Sequence, residues 1–218
     1  MAGCRRRRDG RVPQAPREDR AMVAFDRTDF GARRSALDQS VQRDAAASVG
    51  QWSRHVLEIV AARKLAGYVP VAGELDPGPI LARCRAAGAQ VYLPEPTRLD
   101  EGDDGDRAVL LFAEHRFGDM LVPGAYGIPV PPPDAPRIPA AMLEVVLVPL
   151  IAFDDLGTRV GMGAGFYDRS FAFRGEAPTP PLLVGLAYHW QQVGVLSREA
   201  WDVGLDVVIT DRAVLRIH

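Results

Sequence analysis

The sequence predicts an α/β domain, a single largely parallel, helix-covered sheet of Rossmann-like, three-layer architecture. Three observations carry this. Short apolar, β-branched runs alternate with Ala- and Arg-rich segments of helical periodicity, the order that a parallel sheet covered by helices demands. The 218 residues are enough to bury one such core and too few for two comfortable ones. No apolar run approaches the ~20 residues of a membrane helix, so no membrane partner is expected.

The elements follow in order. Residues 1–21 carry the run Arg5 to Arg8, then Arg11, Pro13, Pro16 and Arg17, with almost nothing to bury. They read as a disordered basic tail ahead of a folded domain at 22–218. No apolar segment follows the arginines, so a signal peptide is not expected. Asp29 to Ala47 and Gln51 to Leu65 are predicted helices, the second from Val56, Ile59, Val60 and Leu65 at near-helical intervals. Ala66 to Val71 is a predicted strand. Pro77 to Ala87 is a helix opened by proline and stopped by Gly88, and Gln90 to Leu93 a strand. Val109 to Phe112 is a strand and Pro123 to Pro139 a proline-rich loop. Glu144 to Pro149 is a strand that leads through a glycine turn into a helix reaching about Phe173. Leu182 to Tyr188 and Asp206 to Thr210 complete the strands. In open sheets of this kind ligands collect beyond the strand carboxyl ends, where Glu74, Asp154 to Asp168 and Tyr188 to Gln191 fall.

A formal charge of −2 lacks the cationic excess of a general nucleic-acid surface. Cys4 and Cys84 are far apart, without metal-type spacing, and read as reduced thiols of a cytoplasmic protein.

The chemistry concentrates between Val148 and Arg169. After the apolar run, a turn delivers Arg159, then Gly161, Gly163 and Gly165 at alternate positions, then Phe166, Tyr167 and Asp168. Alternate glycines let the backbone approach a ligand and turn its N–H groups inward, which suits phosphate. Arg159 adds a charged fork, and Asp168 a hard oxygen for a magnesium ion riding on those phosphates. The spacing is neither the dinucleotide fingerprint nor a P-loop. Glycines alone at this spacing fit a crowded strand-to-helix turn equally well, but such a turn has no need of a cation and a metal-type ligand together.

The segment resembles the signature of the 5-formyltetrahydrofolate cyclo-ligase family, Val-Pro-x-x-Ala-Phe-Asp followed by Gly-x-Arg-Leu-Gly-x-Gly-x-Gly-Tyr-Tyr-Asp-Arg. Only Val160 and Phe166 depart from it, both conservatively. Tyr68 to Asp76 resembles the family's early strand with its substrate-binding Glu, here Glu74. Gly185 to Gln191 resembles its Gly-Leu-Ala-Tyr-x-x-Gln strand, and Glu199 to Thr210 its closing Asp-x-x-x-Asp-x-x-x-Thr.

The resemblance implies an enzyme, a monomer acting on 5-formyltetrahydrofolate with ATP as co-substrate and Mg2+ as cofactor, and yielding 5,10-methenyltetrahydrofolate, ADP and phosphate. It implies ATP binding by Arg27, Gly161, Met162, Gly163, Ala164, Gly165, Phe166, Tyr167 and Asp168, with Arg159 and Tyr167 as catalytic residues. Folate binding falls to Glu74, Phe166, Tyr167 and Tyr188, and metal ligation to Asp168 and Asp202. Without the resemblance, Asp202 reads as a solvated acid and Glu74 as a loop Glu. Two departures stand out: the family's Lys-x-x-x-Arg places Arg27 on the arginine but Val23 on the lysine, and Gly127-Ile128-Pro129-Val130-Pro131 lacks the Glu of Gly-Ile-x-Glu-Pro. They motivate the alternative of a folate- or nucleotide-binding protein without turnover. Arg33 and Arg34 are candidates to replace the absent lysine at the phosphates, though each reads more simply as a solvated charge on a helix.

Overall fold

The computed structural model describes residues 25–98, 108–175 and 180–217; the basic stretch 1–21 and Val23 lie outside them. The chain runs α1 (Arg27–Ser35), α2 (Gln39–Trp52), α3 (Leu57–Ala61), β1 (Lys64–Ala66), α4 (Gly78–Ala86), β2 (Gln90–Arg98), β3 (Ala108–Glu114) and β4 (Arg137–Pro139). It continues with β5 (Val145–Pro149), β6 (Ala152–Phe153), β7 (Arg159–Val160), α5 (Phe166–Phe171), β8 (Leu182–Ala187), β9 (Val207–Thr210) and β10 (Val214–Arg216). Eight strands form one sheet in the order β10-β9-β8-β5-β1-β2-β3-β4. The five from β9 to β2 are parallel, and β3, β4 and β10 are antiparallel additions at the edges. The expected α/β class stands.

The predicted helix 29–47 is two helices. Asp38 accepts the Ser40 N–H at 2.7 Å and starts α2 afresh, as Asp26 starts α1 through the Thr28 N–H. Cap chemistry thus outweighs the unbroken helical composition around it. The predicted helix 51–65 also breaks: α2 ends at Trp52, Val56 turns extended at φ −102° and ψ 98°, and β1 begins at Lys64. Val56, Ile59 and Leu65 are fully buried but Val60 is 53% exposed, so three of the four periodic positions mark the core, and the backbone meets them with a turn, a short helix and a strand. The predicted strand 66–71 stops at Ala66, after which Gly67 donates a last bond to the Tyr92 carbonyl at 2.9 Å. β2 instead runs through Pro94 and Pro96. Residues two apart share an orientation, so these prolines point their missing N–H the way Tyr92 points, where β1 has already ended.

The central strands bury both faces. Leu65, Val145, Leu147, Val184 and Ile209 pack with Val49, Ile59 and Ile80 on one side. Ala66, Val146, Val148, Leu183 and Val208 pack with Phe112 and Phe171 on the other. From β1 the chain moves through α4 to β2, then returns to place β5 on the opposite side of β1. The β1/β5 border is therefore the topological switch point, and the loops leaving it diverge to open a crevice. Among the described residues no helix is long and apolar enough to cross a membrane.

Candidate active site

One wall of the crevice grows from the β6–β7 hairpin, which leaves the end of β5. Its turn is built on Asp154, fully buried, whose Oδ1 accepts the Leu156 and Thr158 N–H groups at 3.0 and 2.8 Å and whose Oδ2 accepts that of Leu196 at 3.0 Å. That scaffold aims Arg159 inward. The Arg159 Nη2 donates to Asp168 Oδ1 at 2.7 Å and its Nη1 to the Val203 carbonyl, while the Val203 N–H returns to Asp168 Oδ1 at 3.0 Å. Both bonds to Asp168 fall on one oxygen. Asp202, next in the chain, accepts the Glu199 N–H on Oδ2 at 2.8 Å. Arg159 and Asp168 thus both meet Val203, 44 positions beyond Arg159 in the sequence, and Asp202 is its chain neighbour.

Between Arg159 and α5 lies the glycine turn. Among the described residues, none of the amide N–H groups from Gly161 to Gly165 donates a hydrogen bond, and Met162, Gly163 and Ala164 are exposed. Gly163 has φ 99°, and a Cβ there would lie 2.7 Å from Arg27 Nη1. No other residue lets the Arg27 guanidinium lie so close to the turn. Arg169 secures the far side, donating to the Ala164 and Ala108 carbonyls at 2.8 and 3.0 Å. The Phe166 ring sits 5.5 Å from its guanidinium and 5.7 Å from the Tyr126 ring.

The opposite wall is the loop after β1. Gly73, at φ 73°, presses against the Arg34 carbonyl with no room for a Cβ. Arg34 is 1% exposed rather than solvated. Its Nε donates to the Ala72 carbonyl and its Nη1 to that of Leu150, each at 3.0 Å, and Nη1 lies 3.6 Å from Glu74 Oε1. Its guanidinium therefore bridges the loops that diverge from β1 and β5. Sequence reading did not separate it from Arg33, although a signal was present: Arg27 and Arg34 are seven apart, which puts them on one stripe of a helix to within about 20°. Arg33, by contrast, lies over the Trp190 ring at 4.1 Å.

Glu74 is buried, accepts the Val71 N–H at 3.1 Å and borders a cavity of about 470 Å³ whose walls include Gln39, Gln42, Arg43 and Asp76. Burial pushes its carboxyl above the usual range, against the pull of the Val71 N–H and Arg34. Burial likewise raises the Tyr68 and Tyr167 hydroxyls well above the phenol range. Tyr167 can therefore donate a proton-bearing hydroxyl but is no base near neutrality. Tyr188 is buried, its hydroxyl pushed up to about 12 by burial and spent on the Gly73 carbonyl at 3.1 Å, and its ring stacked on Trp190. It braces the loop from behind. His115 accepts the company of Arg85 at the opposite end of the sheet, where its N–H meets the Val91 carbonyl at the start of β2.

The Glu74 shift yields a stability prediction. A carboxyl whose folded pKa is raised favours folding most when protonated, below its unfolded value near 4.5. That contribution is lost as pH climbs through the raised folded value. Glu74→Gln, neutral at every pH, is therefore expected to melt a few degrees higher than the parent at pH 7, with the gap closing towards pH 4. Thermal melts across that range check it; a variant that melts lower at pH 7 would show that the ion pair with Arg34 outweighs the burial.

Among the described residues no group of three or more His, Cys, Asp or Glu side chains forms a metal cage. Asp168 and Asp202 each keep one carboxylate oxygen free of the bonds described above. This suits magnesium, which keeps several waters and takes one or two protein carboxylates beside substrate phosphates.

Known proteins share these features. The family described as the 5-formyltetrahydrofolate cyclo-ligase family matches residues 21–211. A protein of Escherichia coli K12 named 5-formyltetrahydrofolate cyclo-ligase is 33% identical over 183 residues, covering 84% of this chain and 96% of that one. One of the same name from Haemophilus influenzae is 31% identical over 186 residues, covering 84% and 95%. The solution structure of Aquifex aeolicus 5,10-methenyltetrahydrofolate synthetase superposes with a TM-score of 0.70 at 28% identity, over 88% of this chain and 91% of that one. The family match over residues 21–211, with identities of 33% and 31% across most of both chains, places the chain in the 5-formyltetrahydrofolate cyclo-ligase family.

Proposed function

We propose that this chain cyclises 5-formyltetrahydrofolate to 5,10-methenyltetrahydrofolate, consuming ATP with magnesium and releasing ADP and phosphate. The observation that supports this most is the glycine turn, five unspent amides flanked by Arg27 and Arg159 at the switch-point crevice. Phosphoryl transfer asks a protein mainly for positioning and charge neutralisation, and such a turn offers both.

In this reading the ATP phosphates lie along Gly161 to Gly165, with Arg27 on one side. Phe166 and Tyr167 flank the folate rings, and Glu74 accepts from the amino edge of the pterin beside the cavity it borders. The formyl oxygen attacks the γ-phosphorus, ADP departs, and the neighbouring aryl amine closes the five-membered ring as phosphate leaves. Arg159 neutralises charge that grows on the transferring group. Tyr167 donates its hydroxyl to substrate oxygen. Asp168 and Asp202 would hold magnesium, which when bound supplies positive charge to the phosphate oxygens. The chain acts as a monomer in the cytoplasm.

The test is direct. Purified protein with ATP, magnesium and 5-formyltetrahydrofolate is expected to build the near-ultraviolet absorbance of the methenyl product, with none when ATP is omitted. Binding of both ligands with no product would favour the binding protein without turnover.

A further inference from the structure

We propose that Arg34 is a ligand-contact residue of the glycine turn, and that its Nη2 leaves the Met162 thioether to donate to a phosphoryl oxygen of the bound nucleotide. This rests on the reading above that ATP occupies the turn.

Two nitrogens of Arg34 are committed. Nε and Nη1 each hold a backbone carbonyl at 3.0 Å, from opposite walls of the crevice. Nη2 carries two N–H groups, and among the described residues its partner is Met162 Sδ at 3.9 Å. A thioether is a weak acceptor. A guanidinium nitrogen in a side chain only 2% exposed gives up its water for that contact and recovers little of the loss. The capacity left over faces the same turn whose five amides are also unspent. Arg34 and the turn's amides are therefore neighbours whose one acceptor, among the described residues, is a thioether, and a phosphoryl oxygen is an acceptor for both.

Met162 is placed to yield. It is 63% exposed, so it swings outward at little cost in buried area, and its unbranched side chain has three torsions with which to do so. Helix geometry supports the same assignment. Arg27 and Arg34 lie on one stripe of α1, roughly 10 Å apart along its axis. The first rests on Gly163 and the second on Met162. One helix thus presents two cations to adjacent residues of a single turn, the inner one fixed by its two carbonyl bonds.

The experiment uses the full chain labelled with 13C at the methionine methyls, the Met162 signal assigned through Met162→Leu. A magnesium complex of the non-hydrolysable β,γ-methylene analogue of ATP is expected to shift the Met162 methyl towards the position of a free, exposed methionine. Arg34→Gln is expected to weaken binding of that analogue by about tenfold to a hundredfold, the scale of a hydrogen bond to a charged group. Arg34→Lys should recover part of the loss. If Arg34→Gln does not fold, the methyl shift in the parent decides alone. An unmoved methyl in a parent protein that binds the analogue overturns the assignment and leaves Arg34 a clasp between two loops. A methyl moved by 5-formyltetrahydrofolate but not by the analogue overturns it as well, giving the donor to the folate. Failure of the parent to bind the analogue at all removes the reading of the turn as an ATP site, and this assignment with it.

Discussion

Arg159→Ala is expected to lower turnover by roughly thirtyfold to a thousandfold, about 2–4 kcal/mol of transition-state stabilisation. The loss should fall on kcat more than on ligand affinity, because the charge that Arg159 faces grows as the phosphoryl group transfers. The structure adds a second consequence. Arg159 grips Asp168 Oδ1 and the Val203 carbonyl, so its removal also frees the segment that carries Asp202. Added magnesium therefore cannot restore the variant. Asp168→Asn behaves differently, because the amide oxygen still accepts the Val203 N–H while its neutral group is a poorer metal ligand. Its defect should be relieved in part by raising magnesium. Since the two side chains are in contact, the losses of the double variant should fall well short of their sum. Steady-state kinetics across a magnesium series make these comparisons. Equal, magnesium-independent losses in both single variants, with lowered melting temperatures, would show the turn to be scaffold alone.

Asp154→Ala should destabilise the protein by about 3–5 kcal/mol. Its carboxylate is fully buried and satisfies three backbone N–H groups, two of them on buried residues. Alanine leaves all three without an acceptor, and each buried orphan costs roughly 1–3 kcal/mol. For a chain of this size the loss corresponds to a fall in Tm on the order of 10 °C. Asp154→Asn retains an acceptor oxygen, so it should lose about half as much. The hairpin that Asp154 holds is also the arm that presents Arg159. Nucleotide affinity, measured well below the melting point, should therefore fall along with stability. An unchanged Tm would mean that other residues carry the turn.

The chain reveals its fold class and the motif of its candidate site without a structure because both depend on local pattern. Fully buried strands such as Val145 to Val148 must be apolar on both faces, and this is visible as an unbroken run. A turn in which backbone amides face a ligand requires glycine, and Gly161 to Gly165 displays it. Where the sequence misled, burial and backbone form had come apart: Val56 to Leu65 repeats at helical intervals, yet three different elements bury it. What tertiary structure alone decided is which charges are solvated and which are enclosed. Arg33 and Arg34 are neighbours of identical type on one short helix, yet one lies over the Trp190 ring and the other bridges Ala72, Leu150 and Met162. Likewise Asp154 and Asp168 belong to one motif, but only the fold makes the first a scaffold for three amides and turns the second towards Arg159. A buried cation's partners are set by distance across the fold, and those of Arg34 lie up to 128 residues away in the sequence. No local pattern of residue types encodes such a contact, because the desolvation that gives it its energy exists only once the two loops have met.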